Sequence, residues 1–307
     1  MSAWWSKNRR LILQLAGTLL AVILLAALLR GEGWSEITAA FAKIKPADLL
    51  WVAFLFIISR LATAARWHVL LRAGGVNIRY KDSLALTFTG LFASNFLPTT
   101  IGGDMVRLAG VMRMGFDRAV CLASIAADRL IGMLGMSMTL PLGLVHAWKL
   151  LGAAPASSLT FAWSKRPLAF LKRTLSVFTL WLRQPASLLV SLAFTWVHML
   201  CLFGSISILT ADLETRIPFW MIAGLWSLTY FITQIPISIN GYGLQELSFT
   251  FLLSNAAGLS PAASLSVAVL IRAFFILTSL PGALFLPFIV TVMAEQKTGA
   301  LPRDNLL

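Results

Sequence analysis

The sequence predicts an all-α integral membrane protein, a polytopic helical bundle of about six to eight membrane segments at about 20 residues each. Of its 307 residues, 58% are hydrophobic and only 12% are charged, about half the charged fraction of a soluble domain. The apolar runs are continuous, as in LILQLAGTLLAVILLAALL at 11–29, whereas barrel strands alternate polar and apolar residues. No hydrophilic stretch is long enough for a second globular domain, so we expect a single membrane domain over 1–307.

The first half of the domain covers about residues 11–147. Basic residues and a tryptophan pair precede the first span and predict a cytoplasmic N-terminus in the cell membrane. The next segments are a span at 49–71, two short apolar stretches at 83–98 and 104–116, and a long run at 119–147 that holds a span and a possible partial return. Because neither short stretch is long enough to cross a bilayer, we predict a pair of half-helices that enter from one face.

A basic connector at about 164–185 separates the halves, and leucines and a phenylalanine recur on one face of it at helical spacing. Its cations are Lys165, Arg166, Lys172, Arg173 and Arg183. This pattern is typical of a helix that lies over anionic headgroups, and the alternative is a connecting helix whose charge only fixes topology. The second half follows at about 186–291, with spans at 186–210, 217–234 and 262–291, an interrupted region at 234–258, and a polar tail at 292–307.

Two proline and glycine elbows interrupt the apolar pattern at corresponding places in the two halves. PTTIGGDMVR (98–107) and PISINGYGLQ (236–245) share proline, isoleucine and glycine at their first, fourth and sixth positions. The elbow residues are Pro98, Gly102, Gly103, Pro236, Gly241 and Gly243. Such breaks leave backbone N–H groups at the start of the next half-helix, where the helix dipole favours an anion. Paired interruptions predict two repeat-related re-entrant helices around one cavity, as in transporters, and chance kinks are the alternative.

Ionisable residues inside the apolar runs are the expected lining of that cavity, because a charge at the bilayer centre costs about 2.5–3.5 kcal/mol unless it is paired or wet. We predict that Asp104 pairs with Arg107, and that Glu246 pairs with Arg129 or Arg272. Arg60 and Arg66 lie near a predicted span end and are expected to snorkel. The predicted substrate-binding residues are Asp104, Arg107, Asp128, Arg129, Asn240, Tyr242, Gln245, Glu246 and Arg272.

The functional interpretation of these arginines is that they bind a phosphate-bearing headgroup, for which guanidinium offers a two-pronged donor. The alternative is a set of ion pairs that fix helix register without a ligand. The three histidines are scattered, and no nucleotide loop, HExxH motif or cysteine and histidine cluster occurs, so we expect no cofactor and no metal. Although the net charge is +13, the basic residues lie beside spans, so the expected partners are anionic or zwitterionic lipids and not nucleic acid.

The elbow regions resemble the two signature regions of a known family. NFLPTTIGGDMVRLAGVMRMG with ASIAADRLIGM, and IPISINGYGLQELSFTFLL with IRAF and SLPG, are similar to the lysylphosphatidylglycerol synthase transmembrane-region family. The resemblance covers most of residues 10–292 and implies a polytopic inner-membrane protein with a flippase-like domain. In longer relatives this domain moves an aminoacylated phospholipid between leaflets, and other relatives are linked to hopanoid or glycolipid pathways. The sequence has no attached synthase domain, so we expect a stand-alone member.

Three functions are open at this point. The first is a lipid translocator that passes a polar headgroup through the cavity between the two broken helices. The second is a membrane-embedded transferase that acts on a lipid-linked substrate and needs a general base such as Asp104 or Glu246. The third is an accessory subunit that docks a lipid-biosynthetic enzyme through the connector. The residues favour a transporter over an enzyme, because no donor-binding motif is recognisable.

Overall fold

A computed structural model describes residues 34–97, 102–150, 184–213, 216–235 and 238–285, and four isolated positions at 15, 19, 20 and 23. Within these ranges all regular structure is helical, which confirms the predicted all-α class. The helices are α1 (Trp34–Lys43), α2 (Pro46–Ala73), α3 (Tyr80–Ser94), α4 (Gly102–Arg113), α5 (Arg118–Leu150), α6 (Pro185–Asp212), α7 (Phe219–Thr233), α8 (Leu244–Ala257) and α9 (Pro261–Leu277), with 3-10 helices at Ile239–Gly241 and Leu280–Phe285.

Four of these segments, α2, α5, α6 and α9 with the 3-10 helix after it, are long and apolar enough to cross a membrane. Three of them begin with proline, which lacks the N–H group that a first helical residue leaves unpaired. Large apolar side chains, among them Leu50 and Phe54 on α2 and Leu189 on α6, are exposed on the outside. An exposed apolar band of this kind is what a lipid-facing surface requires.

The two halves repeat the same order of elements, a span, a hairpin of two short helices and a second span. The first spans, α2 and α6, have 28 residues each, and the first hairpin helices, α3 and α7, have 15 each. The equivalent spans run antiparallel, because Lys45 at the start of α2 pairs with Asp212 at the end of α6 at 3.1 Å. Further along α2, the Ser59 hydroxyl lies 2.7 Å from Nδ1 of His198, so the partner number falls as the α2 number rises.

Each half packs its last span against the first hairpin helix of the other half. In α5, Gly143 meets Gly224 of α7 backbone to backbone, and Thr139 hydrogen-bonds Ser227 at 2.6 Å. The approach needs glycine on both sides, because a Cβ on either residue would overlap the facing main chain. In the other half, Gly282 of the last 3-10 helix lies against the backbone of α3. The hairpins are therefore enclosed by the spans of both halves.

Two predicted segments differ from the observed ones. Residues 119–147 form no partial return, because α5 is one continuous helix of 33 residues that contains Pro141. The span predicted at 262–291 is interrupted, since α9 ends at Leu277 and the chain continues as a 3-10 helix. The polar tail, the first span apart from its four isolated positions, and residues 286–291 lie outside the described residues. So do the elbow prolines and the connector cations, namely Pro98, Pro236, Lys165, Arg166, Lys172, Arg173 and Arg183.

Candidate functional site

Two adjoining cavities that both contain charged side chains lie between the hairpins and the antiparallel spans. The larger has a volume of about 340 Å³ and the smaller about 270 Å³, and they share lining residues from both halves. Shared residues that bear on the chemistry are Arg60, Arg129, Tyr230, Thr233 and Gln245. Described residues of both elbows line these cavities. Beside the smaller one, Tyr242 of the second elbow donates to the Asn95 side-chain oxygen at 3.4 Å, and the Asn95 amide donates to Ser279 at 2.8 Å.

An alternating chain of three arginines and two aspartates forms one wall of the larger cavity. Asp128 of α5 accepts from Nε of Arg66 at 2.7 Å and from Nη2 of Arg107 at 3.1 Å. Arg107 also donates to Asp104 at 3.1 Å, as its sequence spacing predicts. Asp104 in turn binds the Nε atom of Arg129, which completes the chain across helices α2, α4 and α5.

Neighbouring side chains hold this network in one geometry. The guanidinium of Arg107 lies 4.0 Å from the ring centroid of Trp67, a contact that favours a cation over an aromatic face. Trp67 is fixed through its indole N–H, which donates to Ser124 at 3.2 Å. Arg66 gives a further hydrogen bond to Thr195 of α6 at 3.3 Å. Gly90 of α3 leaves room for Arg107, because a Cβ there would lie 2.7 Å from Cγ of the arginine.

The second half has an ion pair of its own next to the smaller cavity. Nε of Arg272 binds Glu246, and the other two guanidinium nitrogens donate to the carbonyl oxygens of Asn240 and Gly241 at 3.4 and 3.2 Å. The same guanidinium lies 4.9 Å from the ring centroid of Tyr242. Arg272 therefore clamps the second elbow, where Asn240 has a positive φ of 48°.

The ion pairs of the two halves occupy equivalent positions. Asp104 is the third residue of α4, and Glu246 is the third residue of α8. Arg129 is the twelfth residue of α5, and Arg272 is the twelfth residue of α9. In each pair the arginine uses its Nε atom. The repeat therefore extends from the helix order to the charged contacts beside the cavities.

The expectation that Arg60 and Arg66 snorkel to a membrane surface is wrong. Both side chains are buried, at 7% and 8% exposure, and both line the larger cavity. Arg60 is in the middle of α2, where Nε donates to Thr278 at 3.1 Å and Nη2 donates to the Phe275 carbonyl oxygen at 3.0 Å. Both side chains lie at the cavity and not at a membrane surface, because the face of α2 that carries them packs against the second half.

The predicted site residues gather around these cavities. Those that line the larger cavity are Asp104, Arg107, Asp128, Arg129 and Gln245, and the smaller one adds Asn240, Gly241 and Arg272. Glu246 is buried behind Arg272. Gly102 and Gly103 are buried at the start of α4, where Gly103 lies against the α3 backbone, and Gly243 precedes α8 with a positive φ of 73°.

Several lining residues were not among the site residues predicted from the sequence. They are Thr63, Thr195, His198 and Tyr230, together with Arg60 and Arg66. The two arginines could have been found from their position in the interior of a long apolar run. Thr63, Thr195 and Tyr230 are uncharged, so only their location in the structure identifies them. His198 is ionisable and lies in the interior of α6, so the same argument could have found it.

Comparisons with known proteins place the chain in one family. The family model described as "Lysylphosphatidylglycerol synthase TM region" matches residues 14–282. A UPF0104 membrane protein of Pyrococcus horikoshii is 22% identical over 145 residues, which cover 45% of this chain and 41% of that protein. A UPF0104 membrane protein of Archaeoglobus fulgidus is 30% identical over 112 residues, which cover 36% of this chain and 34% of that protein. The match therefore spans less than half the length of either relative.

The family match agrees with the geometry, because the matched range contains both hairpins and every charged residue of the cavities. It also agrees with the four apolar helices that are long enough to cross a bilayer. The chain therefore belongs to the lysylphosphatidylglycerol synthase transmembrane-region family and is a multi-pass membrane protein.

Proposed function

We propose that the protein is a lipid translocator, which moves a lipid with a polar headgroup between the leaflets of the cell membrane. The headgroup enters the cavities between the two hairpins, while the acyl chains stay in the surrounding bilayer. The N-terminus is on the cytoplasmic side in this proposal, as the basic residues before the first apolar run predict.

The observation that carries the proposal is a charged, arginine-lined cavity enclosed by two equivalent hairpins from antiparallel halves. Ionisable side chains are expensive at membrane depth and are typical of a substrate pathway. Interrupted helices at corresponding positions of two repeats are typical of transporters that alternate between two faces. The side chain of Arg129 is 40% exposed, so a headgroup can reach it.

The equivalent ion pairs suggest how such a cycle is built. Asp104 with Arg129, and Glu246 with Arg272, hold the two hairpins in the same way on opposite sides of the repeat. A headgroup that competes for one of these arginines releases that hairpin from its span and leaves the other pair closed. Alternation then follows from which of the two pairs is open.

A transferase is less well supported by the same geometry. Asp104 and Asp128 each contact two arginines, and Glu246 contacts one, so every carboxylate of the site serves as an ion-pair partner. A general base has to reach the proton that it removes. The purified protein should therefore form no product from a lipid acceptor and an activated donor.

Proteoliposomes test the proposal. A lipid with a fluorophore on its acyl chain, added to one leaflet, becomes inaccessible to a membrane-impermeant quencher when it crosses. We expect Arg129→Met and Arg272→Met each to lower the crossing rate at least about tenfold, because a hydrogen bond to a charged group contributes about 1.5–3 kcal/mol. The control, Arg79→Met, removes an exposed cation that pairs with Asp82 outside the cavities.

Equal crossing rates in the wild type, both cavity variants and protein-free vesicles would remove the translocator proposal. Equal fractions of folded protein in all variants, measured by circular dichroism of the same vesicles, separate a loss of transport from a loss of fold.

A further inference from the structure

We propose that Arg60 and Gln245 form a subsite for a phosphate group where the two cavities adjoin, so that the ligand is an anionic, phosphate-bearing lipid. The inference deepens the proposed translocation and rests on it for the source of the phosphate. The subsite is separate from the two equivalent ion pairs and uses side chains that contact no carboxylate within the described ranges.

The charges of the cavities do not balance. Among the described residues that line them or pair with their lining, the cations are Arg60, Arg66, Arg107, Arg129 and Arg272, and the anions are Asp104, Asp128 and Glu246. Five cations against three anions leave an excess of two positive charges. His198, another ionisable residue of the lining, adds no negative charge. Because burying an uncompensated charge is expensive, the described lining of the cavities favours an anionic ligand.

Arg60 is the arginine of this set that contacts no carboxylate among the described residues. The side chains of Arg66, Arg107, Arg129 and Arg272 each contact a carboxylate within 4.0 Å, whereas Arg60 contacts none in the described part of the chain. It is 7% exposed, and its hydrogen bonds go to a hydroxyl and to a carbonyl oxygen, which are neutral. One full positive charge is therefore buried there without a counter-charge.

The contacts of Arg60 orient it toward the cavities. Nε and Nη2 are used by Thr278 and by the Phe275 carbonyl oxygen, and the guanidinium lies 4.8 Å from the ring centroid of Phe275. Its Nη1 atom has no hydrogen-bond partner among the described residues, and the side chain lines both cavities. The guanidinium is thus held in place with a donor left for a ligand.

Gln245 and Tyr230 supply further donors at the same place. Both line the two cavities, and neither side chain hydrogen-bonds to another described residue. Gln245 is the second residue of α8, a helix of 14 residues, so the positive end of the helix dipole is close to it. A guanidinium, an amide and a phenol next to a helix N-terminus form a donor set that suits phosphate oxygens.

The sign of the excess charge decides between headgroup classes. A phosphate carries one to about two negative charges near neutral pH, which matches the excess of the cavities. A headgroup with an amine and no phosphate would add a cation to a site that already has too many. A lipid that carries both groups would enter with its phosphate at Arg60, and its amine would have to lie toward Asp104 or Glu246.

Binding to the purified full chain in a neutral detergent tests the subsite. The probes are dioctanoyl phosphatidic acid, dioctanoylglycerol, which has the same tails and no phosphate, and inorganic phosphate. Affinity follows from the rise of the unfolding temperature with probe concentration, because a ligand that binds only the folded state stabilises it. Methionine replaces Arg60, since Met199 occupies the equivalent fifteenth position of α6.

We expect phosphatidic acid to bind and dioctanoylglycerol not to bind. Arg60→Met should lower the affinity for phosphatidic acid at least about tenfold, and Gln245→Leu should lower it about threefold or more, as expected for hydrogen bonds to a charged ligand. Arg72→Met is the matched control, because it removes one cation from the exposed end of the same helix and should leave the affinity unchanged.

Equal affinities of Arg60→Met and Arg72→Met for phosphatidic acid would overturn the proposal, as would equal binding of dioctanoylglycerol and phosphatidic acid by the wild type. If Arg60→Met does not fold, Gln245→Leu serves as the test, and an unchanged affinity of that variant for phosphatidic acid overturns the proposed subsite. Inorganic phosphate that binds as tightly as phosphatidic acid, with the same loss in Arg60→Met, supports the phosphate subsite and rejects the lipid as its source. Binding as expected without crossing in vesicles keeps the subsite and removes the translocator.

Discussion

Asparagine in place of Asp128 should destabilise the folded bundle by about 3–5 kcal/mol, the range for removing one partner of a buried ion pair. Asp128 is 2% exposed and joins Arg66 and Arg107 at 2.7 and 3.1 Å. The substitution takes away the carboxylate that Arg66 contacts among the described residues and leaves it a hydrogen bond to Thr195. Arg107 and Arg129 then share Asp104, and Arg66 contacts no carboxylate among the described residues, so the three arginines of the network face one aspartate.

The assay is denaturant-induced unfolding in mixed micelles, followed by circular dichroism, with the free energy of unfolding extrapolated to zero denaturant. Asp82→Asn is the matched control, because the pair of Asp82 with Arg79 is exposed to solvent and should contribute little to stability. Adding Arg66→Met to Asp128→Asn should raise the free energy of unfolding again, since it removes the cation that has lost its carboxylate partner. Equal losses in the two asparagine variants, or a double variant less stable than Asp128→Asn, would contradict the charge argument.

Two further predictions test the packing of α5 against α7. Gly224→Ala should lower the free energy of unfolding by about 1–3 kcal/mol in thermal unfolding, because its Cβ would overlap the backbone of Gly143. The control Gly204→Ala should be nearly neutral, since its Cβ meets only a leucine methyl at 3.7 Å. Thr139→Cys combined with Ser227→Cys, whose hydroxyl oxygens are 2.6 Å apart, should form a disulfide on mild oxidation in a background free of native cysteines. The disulfide would appear as a linked fragment pair on a non-reducing gel after proteolysis, and separate fragments would refute this helix contact.

The positions of the long spans were predictable from the sequence because the bilayer imposes a continuous apolar length on each of them. The span predicted at 49–71 is observed as Pro46–Ala73, and the one predicted at 186–210 as Pro185–Asp212. The two short stretches before and after the first elbow are also observed as a hairpin, α3 and α4, which contact each other closely. Length and hydropathy alone were enough to predict this part of the fold.

The burial of Arg60 and Arg66 was not predictable from local position. A span predicted to end at residue 71 leaves Arg66 within reach of the membrane surface, and a long side chain near a surface extends toward water. The observed α2 packs against α6 over most of its length, from Lys45 at one end to Arg66 beyond the middle. Which face of a helix meets its partner is set by tertiary packing. Because apolar residues lie on all sides of α2, its sequence does not distinguish the face that meets α6 from the face that meets lipid.

The alignment of the two elbows in the sequence does not give the register of the repeat that the helices show. Matching the two elbows from their prolines sets Asp104 opposite Tyr242, whereas the helices set it opposite Glu246. The second elbow is longer, because the 3-10 helix Ile239–Gly241 is inserted between α7 and α8 and turns at Asn240. Arg129 and Arg272 still correspond in the structure, since each is the twelfth residue of a helix beyond its elbow.

The two halves share their hairpins and their carboxylate–arginine pairs but differ in the residues around those pairs. The position of Arg107, sixth in α4, is held by Phe249 in α8, and the position of Asp128, eleventh in α5, is held by Ile271 in α9. Phe249 and Ile271 are completely buried in an apolar core to which both halves contribute and of which the second half supplies the larger part. A second copy of the charged network would add desolvated charge at membrane depth, where each charge is costly. The first half therefore provides the network of charged side chains in the larger cavity. The second half provides apolar support at the equivalent positions, together with the neutral polar residues Tyr230 and Gln245 and the elbow that Arg272 clamps. The antiparallel repeat brings these unlike surfaces to face each other.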